Sequence, residues 1–289
     1  MTRRAELLFP AQTELGECPV WDAARDCLFF MDVSEKRLHR LDWRNRALGT
    51  LDLPAIGGGL VLGRDGALIA GLQTGLHRID PERGTVSFLV DPEPDRPDNR
   101  LNEAKCDPQG RLWIGSMSTR DRLPCGRLYR MERDGRIAAV LDGIIIPNAL
   151  VWTGPQTMLF ADSARRLIWS FRCDPETGAL SERRVWADCS AAPGMPDGIA
   201  LDAEGCLWNA EFGGGRIVRY DPAGRPIETV PLPATQVTTC AFAGEGLRQL
   251  VVVTTKRLLD ARGRQAQSHA GDLFVIEPPA PGAPVPLFG

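Results

Sequence analysis

The chain lacks any run of 18 consecutive apolar residues, so no membrane-spanning helix is expected. Its opening, MTRRAELLFPAQTELGE, lacks the uninterrupted apolar core of a secretory leader. No Cys-x-x-Cys pair occurs among the eight cysteines, at 18, 27, 106, 125, 173, 189, 206 and 240, which argues against a thiol-redox motif or a zinc knuckle. At 289 residues the chain is also too large to need a disulfide framework, so the cysteines read as reduced, mostly buried thiols. Thirty-four basic and 37 acidic residues leave a net charge of −3 with mixed signs and no basic stripe, which excludes the usual footprint of a nucleic-acid binder. No strand–GxGxxG–helix unit is present for a dinucleotide. No Ser- or Gly-rich linker or charge block divides the chain, so a single domain spanning 1–289 is expected, cytoplasmic and without nucleic-acid or membrane partners. The Pro-rich end, EPPAPGAPVPLFG, reads as a terminal tail or a ring-closing strand.

What the chain has is repetition. Thirty Gly and 23 Pro punctuate apolar stretches of four to six residues rich in Val, Ile, Leu, Phe and Trp. Three clear copies are LNEAKCDPQGRLWIGSM with GRLYRMERDG, PNALVWTGPQTMLFADS with RLIWSFRCDPETG, and PDGIALDAEGCLWNAEF with GRIVRYDPAGR. Looser copies begin at GECPVWD, GGLVLGRDG and TTCAFAGEG, giving six with a period of roughly 45 residues. That period and those short stretches predict an all-β fold: a six-bladed β-propeller of four-stranded antiparallel blades around a central channel.

Within the repeat, Glu17, Asn102, Asn148 and Asp197 each stand five positions before one landmark, at Asp22, Asp107, Thr153 and Asp202. Gly58 and Thr238 complete the register. The first strand of a blade lines the channel, so a symmetric ring would bring these six to one mouth of it. Two carboxylates, two amides and a hydroxyl make an oxygen-only donor set, which suits a hard or borderline divalent cation such as Ca²⁺, Mg²⁺ or Mn²⁺. Turn hydrogen bonding by Asp and Asn explains any one of these residues equally well. Converging carboxylates, however, repel unless a cation or proton offsets them.

A second register holds Asp32, Ser116, Asp162 and Glu211, where Asp closing a turn is the plainer reading. Gly213, Gly214 and Gly215 set Glu211 apart by allowing close backbone approach. His39 and His77 share a position with Tyr129, Trp169, Val218 and Phe274, a structural place, and His269 lies in the polar segment ARGRQAQSHAGD. Ser-His-Asp or Cys-His catalysis has poor material here.

The ordered segments LGECPVW, RLNEAKCDPQGRLWIGSM, PNALVW with LFADS, and PDGIALDAEGCLW resemble the signature segments of the regucalcin, gluconolactonase and luciferin-regenerating-enzyme family. The likeness runs from about Leu15 to about Asp221 and more weakly beyond. It implies a six-bladed propeller with one divalent cation and hydrolysis of sugar lactones. By the resemblance, Glu17, Asn148 and Asp197 are the metal ligands and Asp197 also transfers the proton; Arg100 and Asn102 bind substrate. Three departures stand out. The family's R-x-N-D reads Arg100, Leu101, Asn102, Glu103, lengthening a carboxylate of the substrate region by one methylene. S-N-G-L reads Pro147, Asn148, Ala149, Leu150. An acidic residue that some members place after G-T-M is absent, with Ser118, Thr119 and Arg120 following Met117.

The expected chemistry is therefore metal-dependent opening of an aldonolactone-type ring by water, with Asp197 as base and Arg100, Asn102 and Glu103 facing the sugar. The cation is one of Ca, Mn, Zn, Mg or Fe. Arg120 would suit a lactone bearing a carboxylate, although the charged run TRDR reads more simply as an exposed loop. Two alternatives use the same residues: a non-catalytic calcium- or protein-binding propeller, and a hydrolase of phosphotriesters or other esters.

Overall fold

Four- to six-residue apolar stretches broken by Asp, Gly and Pro cannot sustain helices, and they pair with their sequence neighbours as antiparallel strands. The computed structural model describes residues 3–120 and 122–289. Its strands are β1 (Glu6–Phe9), β2 (Gly16–Asp22), β3 (Cys27–Asp32), β4 (Arg37–Asp42), β5 (Leu48–Asp52), β6 (Gly57–Leu62), β7 (Leu68–Leu72), β8 (Gly75–Asp80) and β9 (Thr85–Val90). Next come β10 (Asn99–Cys106), β11 (Leu112–Ser118), β12 (Gly126–Met131), β13 (Ile137–Ile144), β14 (Pro147–Gly154), β15 (Thr157–Asp162), β16 (Leu167–Cys173) and β17 (Leu180–Asp188). The series ends with β18 (Met195–Leu201), β19 (Leu207–Phe212), β20 (Arg216–Tyr220), β21 (Pro226–Pro231), β22 (Val237–Ala243), β23 (Gln249–Thr254) and β24 (Leu273–Ile276). These form six four-stranded antiparallel sheets, the blades of a six-bladed β-propeller.

The chain divides into two compact units of three blades. One holds β2–β5, β18–β21 and the sheet β22, β23, β24, β1; the other holds β6–β9, β10–β13 and β14–β17. In the first unit, Trp208, Ala210 and Ile217 pack against Cys240, Phe242, Val252 and Phe274, and Phe30 and Leu41 pack with Val251 and Leu273. In the second, Val61, Ile69 and Leu76 meet Leu101, Ile114 and Met131, while Trp113 and Leu128 meet Leu150, Trp152 and Phe160. The strand that completes the last sheet comes from near the start of the sequence, with β1 pairing along β24. The Pro-rich end forms no strand of a sheet; Gly282 bridges Asp202, and Phe288 bridges Gly63.

The landmark aspartates build the first turn of a blade. Asp107 Oδ1 accepts from the backbone N–H of Gln109 (3.0 Å) and Arg111 (2.9 Å), while Oδ2 accepts from Trp113 Nε1 (2.9 Å) and Arg111 Nε (2.5 Å). Asp202 repeats the device with Glu204 and Cys206 N–H, Trp208 Nε1 (3.1 Å) and Arg219 (2.9 and 2.7 Å). Each carboxylate thus joins the turn to an indole buried in the blade, and burial is tolerated because every lone pair has a donor.

Each inner strand carries one residue more than its partner at the same place. The ladder skips between Glu17 and Val20, Gly57 and Gly59, Asn102 and Ala104, Asn148 and Val151, Pro196 and Ile199, and Val237 and Thr239. Such bulges twist the strand and re-aim its side chains. Two bulged residues take the left-handed conformation, Cys18 at φ 55° and Ala149 at φ 51°. The structure therefore puts the alanine of Pro147-Asn148-Ala149-Leu150 in a conformation that glycine adopts without strain.

Two outcomes test this description. Relief of left-handed strain should offset the lost methyl in Ala149→Gly, leaving Tm within about 2 °C, whereas Ala161→Gly, equally buried in a regular strand, should lower it by about 4 °C. A large loss for Ala149→Gly, measured by calorimetry, would contradict the strain. None of the eight thiols is in a disulfide, and only Cys18 and Cys125 are partly exposed. Burial pushes the Cys27 thiol up to about 11 and Cys106 up to about 12. Iodoacetamide at pH 8 should therefore label Cys18 and Cys125 in the native protein and the other six only after unfolding, as peptide mass mapping would show.

Candidate functional site

In the first unit, β22 touches both β2 and β18. Thr238 Oγ1 donates to the carbonyl of Gly16 at 2.7 Å, so the hydroxyl of the ring register is used to hold the backbone immediately before Glu17. Gly198, immediately after Asp197, presses on the Thr239 side chain so closely that a Cβ there would overlap the hydroxyl. One strand thereby fixes the backbones that present both carboxylates. Asp197 is buried and Glu17 half-buried.

In the second unit, β10 plays the corresponding part between β6 and β14. Arg100 Nη1 donates to Asn102 Oδ1 (2.7 Å) and to the Leu101 carbonyl (3.2 Å). Asn102 Nδ2 donates to Asn148 Oδ1 (3.0 Å) and to the Pro147 carbonyl (2.8 Å). Asn148 Nδ2 in turn donates to Ser163 Oγ at 2.9 Å. The result is a directed chain, Arg100 to Asn102 to Asn148 to Ser163, in which each amide has one orientation because its nitrogen and oxygen are both engaged. Within this unit, Arg100, Asn102 and Asn148 are thus brought together. Ser163 is an addition; it follows the last strand residue of the LFADS motif, but nothing in its spacing marks it as a partner of Asn148.

Glu103 is the extra residue of its bulge and is buried. One of its carboxylate oxygens lies 3.2 Å from Lys105 Nζ, an ion pair without hydrogen-bond alignment. The added methylene relative to Asp keeps this acid within reach of a lysine on its own strand. Arg120 is exposed and pairs with Asp98 at 2.9 Å. Asp121, beside it in TRDR, lies outside the described residues.

The second register is structural at its aspartates. Asp32 accepts from the N–H groups of Glu14 (2.8 Å) and Leu15 (3.2 Å), and Asp162 from those of Ile145 and Ile146 (both 3.0 Å). Glu211 is buried in a two-point pair with Arg216 (2.7 and 3.1 Å). Ser116 donates to Glu93 Oε1 at 2.8 Å. Glu93, which lies in the irregular loop DPEPDRPDN and carries no repeat signal, also accepts from Asn99 Nδ2 (2.9 Å) and Tyr129 OH (2.8 Å). Burial holds the Tyr129 phenol well above its usual range, so it remains a donor. This network anchors the residue preceding Arg100.

Among the described residues, Asp202, Glu204 and Cys206 also cluster closely enough to suggest a metal. Arg219 already occupies that place, bonding Asp202 and Glu204 (2.6 Å), and the group is a turn and its salt bridge. His39 and His77 are buried against Phe30 and Phe88. His269 makes a 2.9 Å contact with Asp272. No described helix is long and apolar enough to cross a membrane.

The chain resembles known proteins over nearly all of its length. It is 31% identical over 277 residues to a 6-deoxy-6-sulfogluconolactonase of Pseudomonas putida, covering 95% of this chain and 94% of that protein. It is 32% identical over 280 residues to the pentonolactonase XacC of Haloferax volcanii, covering 93% of each. A crystal structure of a calcium-binding protein, regucalcin, from Agrobacterium tumefaciens superposes with a TM-score of 0.95 at 28% identity, over 100% of this chain and 98% of that one. Residues 15–256 match the family model described as the SMP-30/Gluconolactonase/LRE-like region. With that match spanning most of the sequence, on a fold of six blades, the chain belongs to the SMP-30/gluconolactonase/LRE-like family.

Proposed function

We propose that this protein hydrolyses a sugar lactone to the sugar acid with the help of one divalent cation. The observation that carries the reading is the chain from Arg100 through Asn102 and Asn148 to Ser163, which presents amide and guanidinium groups in fixed orientation to a polyhydroxylated ligand. Relatives named for 6-deoxy-6-sulfogluconolactone and pentonolactone hydrolysis support the substrate class.

The residues fit the cation. Ser163 accepts from the Asn148 nitrogen, which leaves the amide oxygen as the donor atom, and an sp² oxygen can accept from Asn102 while offering a second lone pair. Glu17 and Asp197 would supply the negative charge, making an all-oxygen set suited to Ca, Mn, Mg, Zn or Fe. The assignment of Glu17, Asn148 and Asp197 as ligands rests on the family resemblance and their common register. When bound, the cation supplies electrophilic polarisation of the lactone carbonyl and a more acidic water.

The remaining chemistry belongs to the chain. Asp197 takes a proton from the attacking water as oxygen adds to the carbonyl carbon, and returns it to the ring oxygen as that C–O bond breaks. Asp197 is buried at the bulge of β18, where the close packing of Gly198 on Thr239 holds the backbone that carries it. Arg100 and Asn102 hold the sugar hydroxyls and so fix the carbonyl against the water. Glu103, paired with Lys105, would be the acidic neighbour of this group on the substrate side.

The test follows acid release from a panel of aldonolactones and uronolactones. Chelation should abolish turnover and one or more divalent cations restore it, while Asp197→Ala should lose about 10²- to 10⁴-fold in kcat with its fold intact. Tight cation binding without turnover of any lactone would leave a calcium-binding propeller in place of an enzyme. Turnover of phosphotriesters alone would reassign the substrate.

A further inference from the structure

Gly57, Gly58 and Gly59 stand together at the start of β6, yet each meets a different obstacle. A Cβ at Gly57 would run into the Gly71 carbonyl and Leu72. One at Gly59 would come within 2.9 Å of Ala104 Cβ and 2.8 Å of Ile114 Cδ1, which are core atoms. At Gly58 the nearest atoms are polar side-chain ends: Arg100 Nη1 and Asn102 Oδ1, each 2.5 Å away. Those same two atoms form the 2.7 Å hydrogen bond that begins the chain toward Asn148.

Backbone conformation does not explain the glycine. Gly58 is absent from the residues with positive φ, so alanine can adopt its backbone without strain. What the position requires is the absence of a side chain. At the ring register in this unit, β10 and β14 contribute Asn102 and Asn148, while β6 contributes empty space that the guanidinium of Arg100 enters.

We propose that Gly58 is a specificity-determining, positioning residue: the space it leaves sets the reach of the Arg100 guanidinium and seats it on Asn102, and so fixes where a sugar hydroxyl or ring oxygen is held. The inference rests on the reading of Arg100 and Asn102 as substrate-binding groups. The contact is shared between the far end of the long Arg100 side chain and the Asn102 amide, which Pro147 and Asn148 hold in place, so a methyl group at 58 displaces the guanidinium first and presses on the amide behind it.

The experiment is a double-mutant cycle on the lactone that the wild type opens, with Gly58→Ala, Arg100→Ala and the pair. Gly58→Ala should raise KM by about tenfold with kcat changed less than about threefold, the pattern of lost uniform binding, and Tm should hold within about 2 °C. On the Arg100→Ala background the same change should cost clearly less than in the wild type, about threefold or under, because one of the two groups it presses on is gone. An unaltered KM in Gly58→Ala, or an equal penalty on both backgrounds, overturns the inference while leaving the lactonase reading intact. A wild type that opens no lactone removes that reading first. Should Gly58→Ala fail to fold, recovery of folding in the double variant supports the clash with Arg100, and no recovery refutes it.

Discussion

One extra residue in each inner strand is the constraint on which the placing of its polar side chain depends. A regular strand alternates its side chains between two faces, both of which are needed for packing against neighbouring blades. A polar residue set into that alternation would be buried among apolar groups. The bulge gives each inner strand a local break in the ladder at Glu17, Gly58, Asn102, Asn148, Asp197 and Thr238, so polar chemistry and apolar packing coexist on one strand. The cost is local strain, visible in the left-handed Cys18 and Ala149.

The same six places serve unlike purposes. Thr238 spends its hydroxyl on the Gly16 carbonyl, Gly58 yields room to Arg100, and Asn102 links a guanidinium to a second amide. In each three-blade unit the middle inner strand holds its two neighbours. β22 does so through a threonine pair, and β10 through Asn102 and the bonds it makes. Removing one member of such a chain exposes the unmet valence of the next, which is why groups far from any reacting atom matter to it.

Much of this was legible in the sequence, for identifiable reasons. The repeat period fixed the blade count, and the five-residue spacing to Asp22, Asp107 and Asp202 survived because bulge and turn recur together. The third-strand register was equally clear: His39, His77, Tyr129, Trp169, Val218 and Phe274 face Phe30, Ala70, Ile114, Phe160, Asn209 and Val252. The bulge itself was hidden, since an insertion common to every copy changes no spacing between copies. Ser163 and Glu93 were hidden because their partners lie on other strands. By composition the Pro-rich end suits a tail or a closing strand alike, and closure falls to β1, whose residues Glu6–Phe9 are too few to show an alternating pattern.

That closing strand has a kinetic consequence. Five sheets are built from consecutive hairpins, whose contacts are local and form early. The sixth needs Glu6 opposite Val275, so its loop-closure entropy is met only when nearly the whole chain is available. Until then β24 has an open edge, a template for pairing with another molecule. During synthesis on the ribosome this sheet would be the last to form, and the interval before β1 docks is when the nascent chain is most exposed to aggregation.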